Sequence, residues 1–141
     1  MKRRILFYCE DNATRSLIAE GIFRKLCQDT WEVYSAGRRS GGPHSLTLQV
    51  LEEVQVDSSR LVSKTLDQLP CRHFDLVLTL SEGSETHELA SIQGEVVIHL
   101  PFTDPAKNES SAEPTRAFQQ VRDQIFGRLS VLFHRIEAHE I

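Results

Sequence analysis

The sequence predicts an α/β fold built on a parallel sheet with helices on both faces. Three observations carry this reading. Short apolar runs alternate with longer helix-patterned stretches, the last stretch carries a helical apolar period, and 141 residues are filled by four such strands and their crossovers. "RILFY" at 4–8 is a continuous apolar run, the pattern of a strand buried on both faces. Residues 13–28 follow as a helix, and "WEVYS" at 31–35 gives the second strand. Residues 44–54 read as the second helix and "FDLVLTL" at 74–80 as the third strand. A polar helix is expected at 81–91, then "EVVIHL" at 95–100 as the last strand. In the final stretch, 115–138, Phe118, Val121, Ile125, Leu129, Leu132 and Ile136 recur at helical spacing, which predicts a helix with its core face along that stripe. "DPAKNESSAEPT" is the one long loop expected. No repeat or composition shift divides the chain, so residues 1–141 are expected to form a single domain.

Composition excludes several function classes. With 40% hydrophobic and 26% charged residues the chain is globular in type. A formal charge of −4 without a basic stripe argues against a nucleic-acid binder. The opening "MKRR" resembles the start of a signal peptide, but Glu10 and Asp11 end the apolar run after Cys9, so a cytoplasmic protein without membrane contact is expected. Cys9, Cys27 and Cys71 have no paired metal spacing, so reduced thiols and no metal site are expected.

In such sheets ligands gather beyond the carboxyl ends of the strands. There, "CEDNATRS" puts Cys9 at a strand end and Arg15 at the opening of the next helix, with Asn12, Ala13 and Thr14 between them and Ser16 after. A loop curled in this way points backbone N–H groups inward, and the helix N-terminus adds partial positive charge. Arg15 can grip two oxygens of a tetrahedral oxyanion in its planar fork. The same surroundings favour the thiolate of Cys9, the form that acts as a nucleophile, and Ser16 can donate a hydroxyl to it.

These residues, together with "VYSAG", "VLEEVQVDSSRLVSKTL", "FDLVLTL", "HLPFTDPA" and "FQQVRDQIFGRL", make nearly the whole chain resemble the low molecular weight protein tyrosine phosphatases, and more closely the arsenate reductases that share their fold. The resemblance implies the strand order 2-1-3-4. It also implies Cys9 as nucleophile, Arg15 as oxyanion-binding arginine, Asn12 as the residue that shapes the loop, and Ser16 as support for the thiolate. Asp104 in "TDPA" matches the general acid. The implied activity is hydrolysis of phosphate monoesters, phosphotyrosine among the candidates, through a phosphocysteine, with no cofactor or metal. The first alternative is arsenate reduction at Cys9 with a small thiol or glutaredoxin-type protein as partner. The second is a module that binds an anion or a protein without catalysis.

Four departures from the family pattern qualify what the resemblance implies. Asp11 stands where glycine is usual, and a carboxylate roughly 8 Å from a bound anion repels it by about 2 kcal/mol per unit charge at an effective dielectric of about 20. Glu10 adds to that repulsion. Thioredoxin-coupled arsenate reductases use two cysteines after the third strand, where this chain has Ser81 and no cysteine. The aromatic walls that hold a phenyl ring in the tyrosine phosphatases are missing from "SAGRRSGGPHS" and "DPAKNES"; Arg38, Arg39 and His44 stand there as surface residues or substrate contacts. Finally, the potassium site of some arsenate reductases matches Asn12, Glu20 and Ser35, with Lys64 in place of an aspartate. Lys64 is therefore expected to pair with Glu20 and to replace the ion, leaving activity insensitive to potassium.

Overall fold

A computed structural model describes residues 2–83, 89–107 and 113–141. Four strands, β1 (Arg3–Cys9), β2 (Trp31–Gly37), β3 (His73–Thr79) and β4 (Gln93–His99), form one sheet in the order β2-β1-β3-β4, every pair parallel. The register sets Cys9 beside Gly37, Tyr8 beside Thr79 and Thr79 beside His99. All four carboxyl ends therefore meet at one edge, and the loops that leave them share one surface. Central β1 is the most deeply buried strand, with Ile5, Leu6, Phe7 and Tyr8 fully covered. That is why its sequence runs apolar without alternation.

Three α-helices, α1 (Arg15–Cys27), α2 (Ser45–Glu52) and α3 (Pro114–Glu137), pack against one face. The expected α3 stripe is the buried one: Phe118, Val121, Ile125, Leu129 and Ile136 lie in the main core, and Leu132 packs partly buried against it. Pro114 starts this helix at a position where its missing N–H costs nothing. Far from the carboxyl ends, Phe23 meets Phe7, Trp31 and Phe133 edge to face at 5.7, 5.8 and 5.7 Å.

The opposite face is covered by a 3-10 helix, Leu66–Gln68, with Leu69, and by Leu89 and Ile92, which close over Leu6, Tyr8, Phe74 and Val77. The polar helix expected at 81–91 falls here, and residues 84–88 of it lie outside the described residues. Helix α1 begins at Arg15 rather than at Ala13, because Asn12 sits in the left-handed region (φ 46°) and Thr14 is the helix cap. Among the described residues no helix is long and apolar enough to cross a membrane.

Candidate active site

The cradle between β1 and α1 is shaped by its carbonyls. Those of Cys9, Glu10, Asp11 and Ala13 accept from the N–H groups of Arg38, Arg39, Gly41 and His44, at 3.3, 2.9, 2.9 and 3.1 Å. Thr47 Oγ1 also donates to Ala13 O at 2.9 Å. Since C=O and N–H of a trans peptide point in opposite directions, the N–H groups of Glu10, Asp11, Asn12 and Thr14 turn away from that loop, as a candidate anion-binding nest requires. This close apposition needs Gly37: a Cβ there would stand 2.7 Å from Arg39 O and from Asn12 N.

Cys9, Thr14 and Arg15 line a cavity of about 190 Å³ together with Asp11, Ala13, Gly41, His44, Asp104 and Ala106. Arg15 is buried, and its Nη1 donates to Phe102 O at 3.1 Å. Its Nη2 lies 3.6 Å from Asp104 Oδ2. The other oxygen of Asp104 accepts from Ala106 N–H at 3.0 Å, an Asx turn at "DPA" that aims the carboxylate at the arginine. The nucleophile, oxyanion-binding and acid candidates thus share one cavity.

Beneath the cradle a hydrogen-bonded chain runs from Glu20 to Cys9. Ser35 Oγ donates to Glu20 Oε1 and therefore accepts from Asn12 Nδ2, at 3.1 Å. Asn12 gives its other amide hydrogen to Ser16 Oγ at 2.6 Å, while its Oδ1 accepts from Lys64 N–H at 2.8 Å. Ser16 is left with its hydroxyl hydrogen for Cys9 Sγ, 2.8 Å away. A thiolate accepts that hydrogen far better than a thiol does, and the buried carboxylate of Glu20 orients the donor from three groups away.

Lys64 behaves differently from the expectation. Its Nζ donates to the carbonyls of Ser35 (3.2 Å) and Val62 (2.7 Å), and the ion pair on Glu20 is made by Arg24 at 2.7 Å. Arg24 is one helical turn beyond Glu20 and Ser35 takes the second carboxylate oxygen, so both oxygens of Glu20 are engaged. Burial pushes the Lys64 ammonium below its ordinary pKa, against the attraction of the Glu20 charge.

The two acids in the loop are neutralised from the side. Arg39 Nε donates to Asp11 Oδ1 and its Nη2 to Glu10 Oε1, both at 2.9 Å, and Lys107 Nζ reaches Glu10 Oε2 at 3.1 Å. Lys107 first, then Arg39, holds the Glu10 carboxyl below the usual carboxylate range. The repulsion expected of bare acids is thereby largely cancelled. Lys107 also ties the Asp104 loop to the cradle. Arg39 is spent on these acids rather than offered to a substrate.

The remaining thiols are remote. Cys27 ends α1, roughly 18 Å along the helix from Arg15. Cys71 precedes β3 at the opposite end of the sheet, roughly 20 Å from its carboxyl end. His44, expected as a surface residue or a substrate contact, lines the cavity; its position at the start of α2 is also a cap, since Nδ1 accepts from Leu46 N–H at 3.1 Å.

The family profile of the low molecular weight phosphotyrosine protein phosphatases matches residues 4–140. The chain belongs to that family. It is 36% identical over 129 residues to the arsenate reductase of Halalkalibacterium halodurans, covering 91% of this chain and 93% of that protein. Among solved structures it is similar to an arsenate reductase in the phosphate binding state, with TM-score 0.78, 25% identity and coverage of 95% of this chain and 98% of that one. It is also similar to the low molecular weight protein tyrosine phosphatase from T. tengcongensis, with TM-score 0.74, 25% identity and coverage of 95% and 99%. The chain is thus an enzyme of the phosphatase or arsenate reductase type acting on an oxyanion substrate.

Proposed function

We propose that the protein hydrolyses phosphate monoesters through a phosphocysteine on Cys9. The observation that carries this reading is the union in one cavity of Cys9, Arg15 and Asp104, with no second cysteine near it. An arriving phosphate takes the Arg15 fork and the nest of N–H groups. The Cys9 thiolate attacks phosphorus, the ester P–O bond breaks, and protonated Asp104 gives its proton to the departing oxygen. Water then attacks the phosphocysteine, Asp104 takes its proton, and the S–P bond breaks to return thiolate. Every group that this cycle needs is a candidate already in the cavity. Among the described residues the lining has no Phe, Tyr or Trp ring to clamp a phenyl group, which favours small or polar esters over phosphotyrosine.

A second reading, arsenate reduction, is favoured by the name of the relative from Halalkalibacterium halodurans. In it Cys9 attacks arsenic, and an external thiol or thiol-redox protein supplies the electrons by forming a mixed disulfide with Cys9 as arsenite leaves. The remoteness of Cys27 and Cys71 requires that the thiol come from outside. Steady-state hydrolysis of a small aryl phosphate by the wild type, Cys9→Ser and Asp104→Ala separates the readings. Turnover abolished in Cys9→Ser and reduced in Asp104→Ala supports hydrolysis. No turnover in the wild type, with arsenate reduced when glutathione and glutaredoxin are added, supports the second.

A further inference from the structure

His44 holds three positions at once. Its backbone N–H donates to Ala13 O in the cradle, so the residue is fixed to the loop that carries the oxyanion nest. Its ring packs on the buried ring of Phe118, centroid to centroid at 4.7 Å. Its Nδ1 accepts the N–H of Leu46 as the cap of α2. An accepting Nδ1 carries no proton, so the neutral ring bears its hydrogen on Nε2, a donor with no partner among the described residues. The residue also lines the cavity that holds Cys9 and Arg15.

We propose that His44 is a substrate-contacting residue, whose Nε2–H donates to an oxygen of the oxyanion bound in the Cys9–Arg15 cavity. This rests on the oxyanion-cradle reading above and adds a donor that the Cys9-to-Arg15 loop does not supply. The tautomer is imposed by a helix cap and the ring plane by Phe118, so the donor is held in place before substrate arrives. An oxyanion acceptor makes the bond charge-assisted, so its loss is expected to weaken binding about tenfold or more.

The test measures binding rather than turnover, so that it does not depend on which reaction the enzyme performs. Inorganic phosphate is titrated as a protectant of Cys9 against iodoacetamide, with Arg15→Lys as the control for loss of the cradle. His44→Phe keeps a ring over Phe118 and loses the cap; His44→Asn keeps a cap acceptor and loses the ring. Weakening of phosphate protection by about tenfold in both, whatever happens to their melting temperatures, is the expected result. Unchanged protection in either variant overturns the assignment, because the effect then follows one structural role. Should either variant fail to fold, histidine ring nitrogen resonances in the unsubstituted protein decide: phosphate must shift the Nε2 signal of His44, and an unmoved signal overturns the proposal. Failure of phosphate to protect the unsubstituted protein removes the cradle reading itself, and the His44 contact with it.

Discussion

Ser35 lies 19 residues beyond Ser16, on the neighbouring strand, and has no contact with the cavity, yet Ser35→Ala should both destabilise the protein and impair Cys9. The hydroxyl donates to the buried carboxylate of Glu20 and accepts from Asn12 Nδ2. Leaving a buried charged acceptor one donor short costs about 2 kcal/mol, and the stranded amide hydrogen about 1 kcal/mol more. Arg24 still holds Glu20, which limits the loss to about 3 kcal/mol. For a chain of this size that corresponds to a melting temperature about 10 °C lower. Asn12 would keep its bond to Lys64 N–H but lose the partner that fixes its left-handed turn, so Ser16 would no longer present its hydrogen squarely to Cys9 Sγ. Calorimetry together with the rate of iodoacetamide alkylation of Cys9 at fixed pH measures both effects. In a double-mutant cycle Ser35→Ala and Ser16→Ala should be strongly non-additive in alkylation rate, since they interrupt one chain. A melting temperature within about 2 °C of the parent, or strict additivity, would refute the proton-ordering argument.

Gly37→Ala should disable the cradle, because its Cβ would meet two backbone atoms at 2.7 Å and neither can swing aside; loss of phosphate protection of Cys9 is the readout, and a variant that binds normally would contradict the packing. Glu10 has a carboxyl held low chiefly by Lys107, so it contributes stability above its ordinary value of 4.5 that is lost as pH falls through the lower folded value. Melting curves of the parent and Lys107→Met should therefore differ at neutral pH and converge in acid. Tyr34 is pushed up to about 12, first by burial and then by its hydrogen bond to Glu32, at 2.7 Å. The unfolded chain ionises this phenol near 10 while the folded one keeps its proton, so stability should drop as pH rises from 10 to about 12. Tyr34→Phe should remove that drop, which absorbance of the phenolate and melting against pH can follow.

Much of this was legible in the residues because it is local or periodic. A continuous apolar run such as Ile5–Tyr8 has few readings other than a buried strand, and the α3 stripe marks its own core face. Cys9 through Ser16 are contiguous in sequence, from the end of β1 across its loop into α1, so their union required only that a strand precede and a helix follow. What the residues did not disclose depends on partners brought in from afar. Arg39 clamps Glu10 and Asp11 from 28 or more positions away, and nothing in "GRRS" distinguishes the arginine that does so from its neighbour. Lys64 was expected on Glu20, but Arg24, on the same helix face, already had that place. His44 stood open between a surface residue and a substrate contact, and its place in the cavity lining depends on partners far off in sequence, Ala13 for its backbone and Phe118 for its ring.

The central claim is that Cys9 carries the phosphoryl group. Rapid acid quench of the wild type and of Asp104→Ala during turnover of a small aryl phosphate, followed by peptide mass spectrometry, tests it most directly. The account predicts a phosphoryl adduct on the Cys9 peptide, none in Cys9→Ser, and a slower decay in Asp104→Ala because water lacks its base. Turnover that persists in Cys9→Ser, or proceeds in the wild type with no adduct on Cys9 at any quench time, would contradict it.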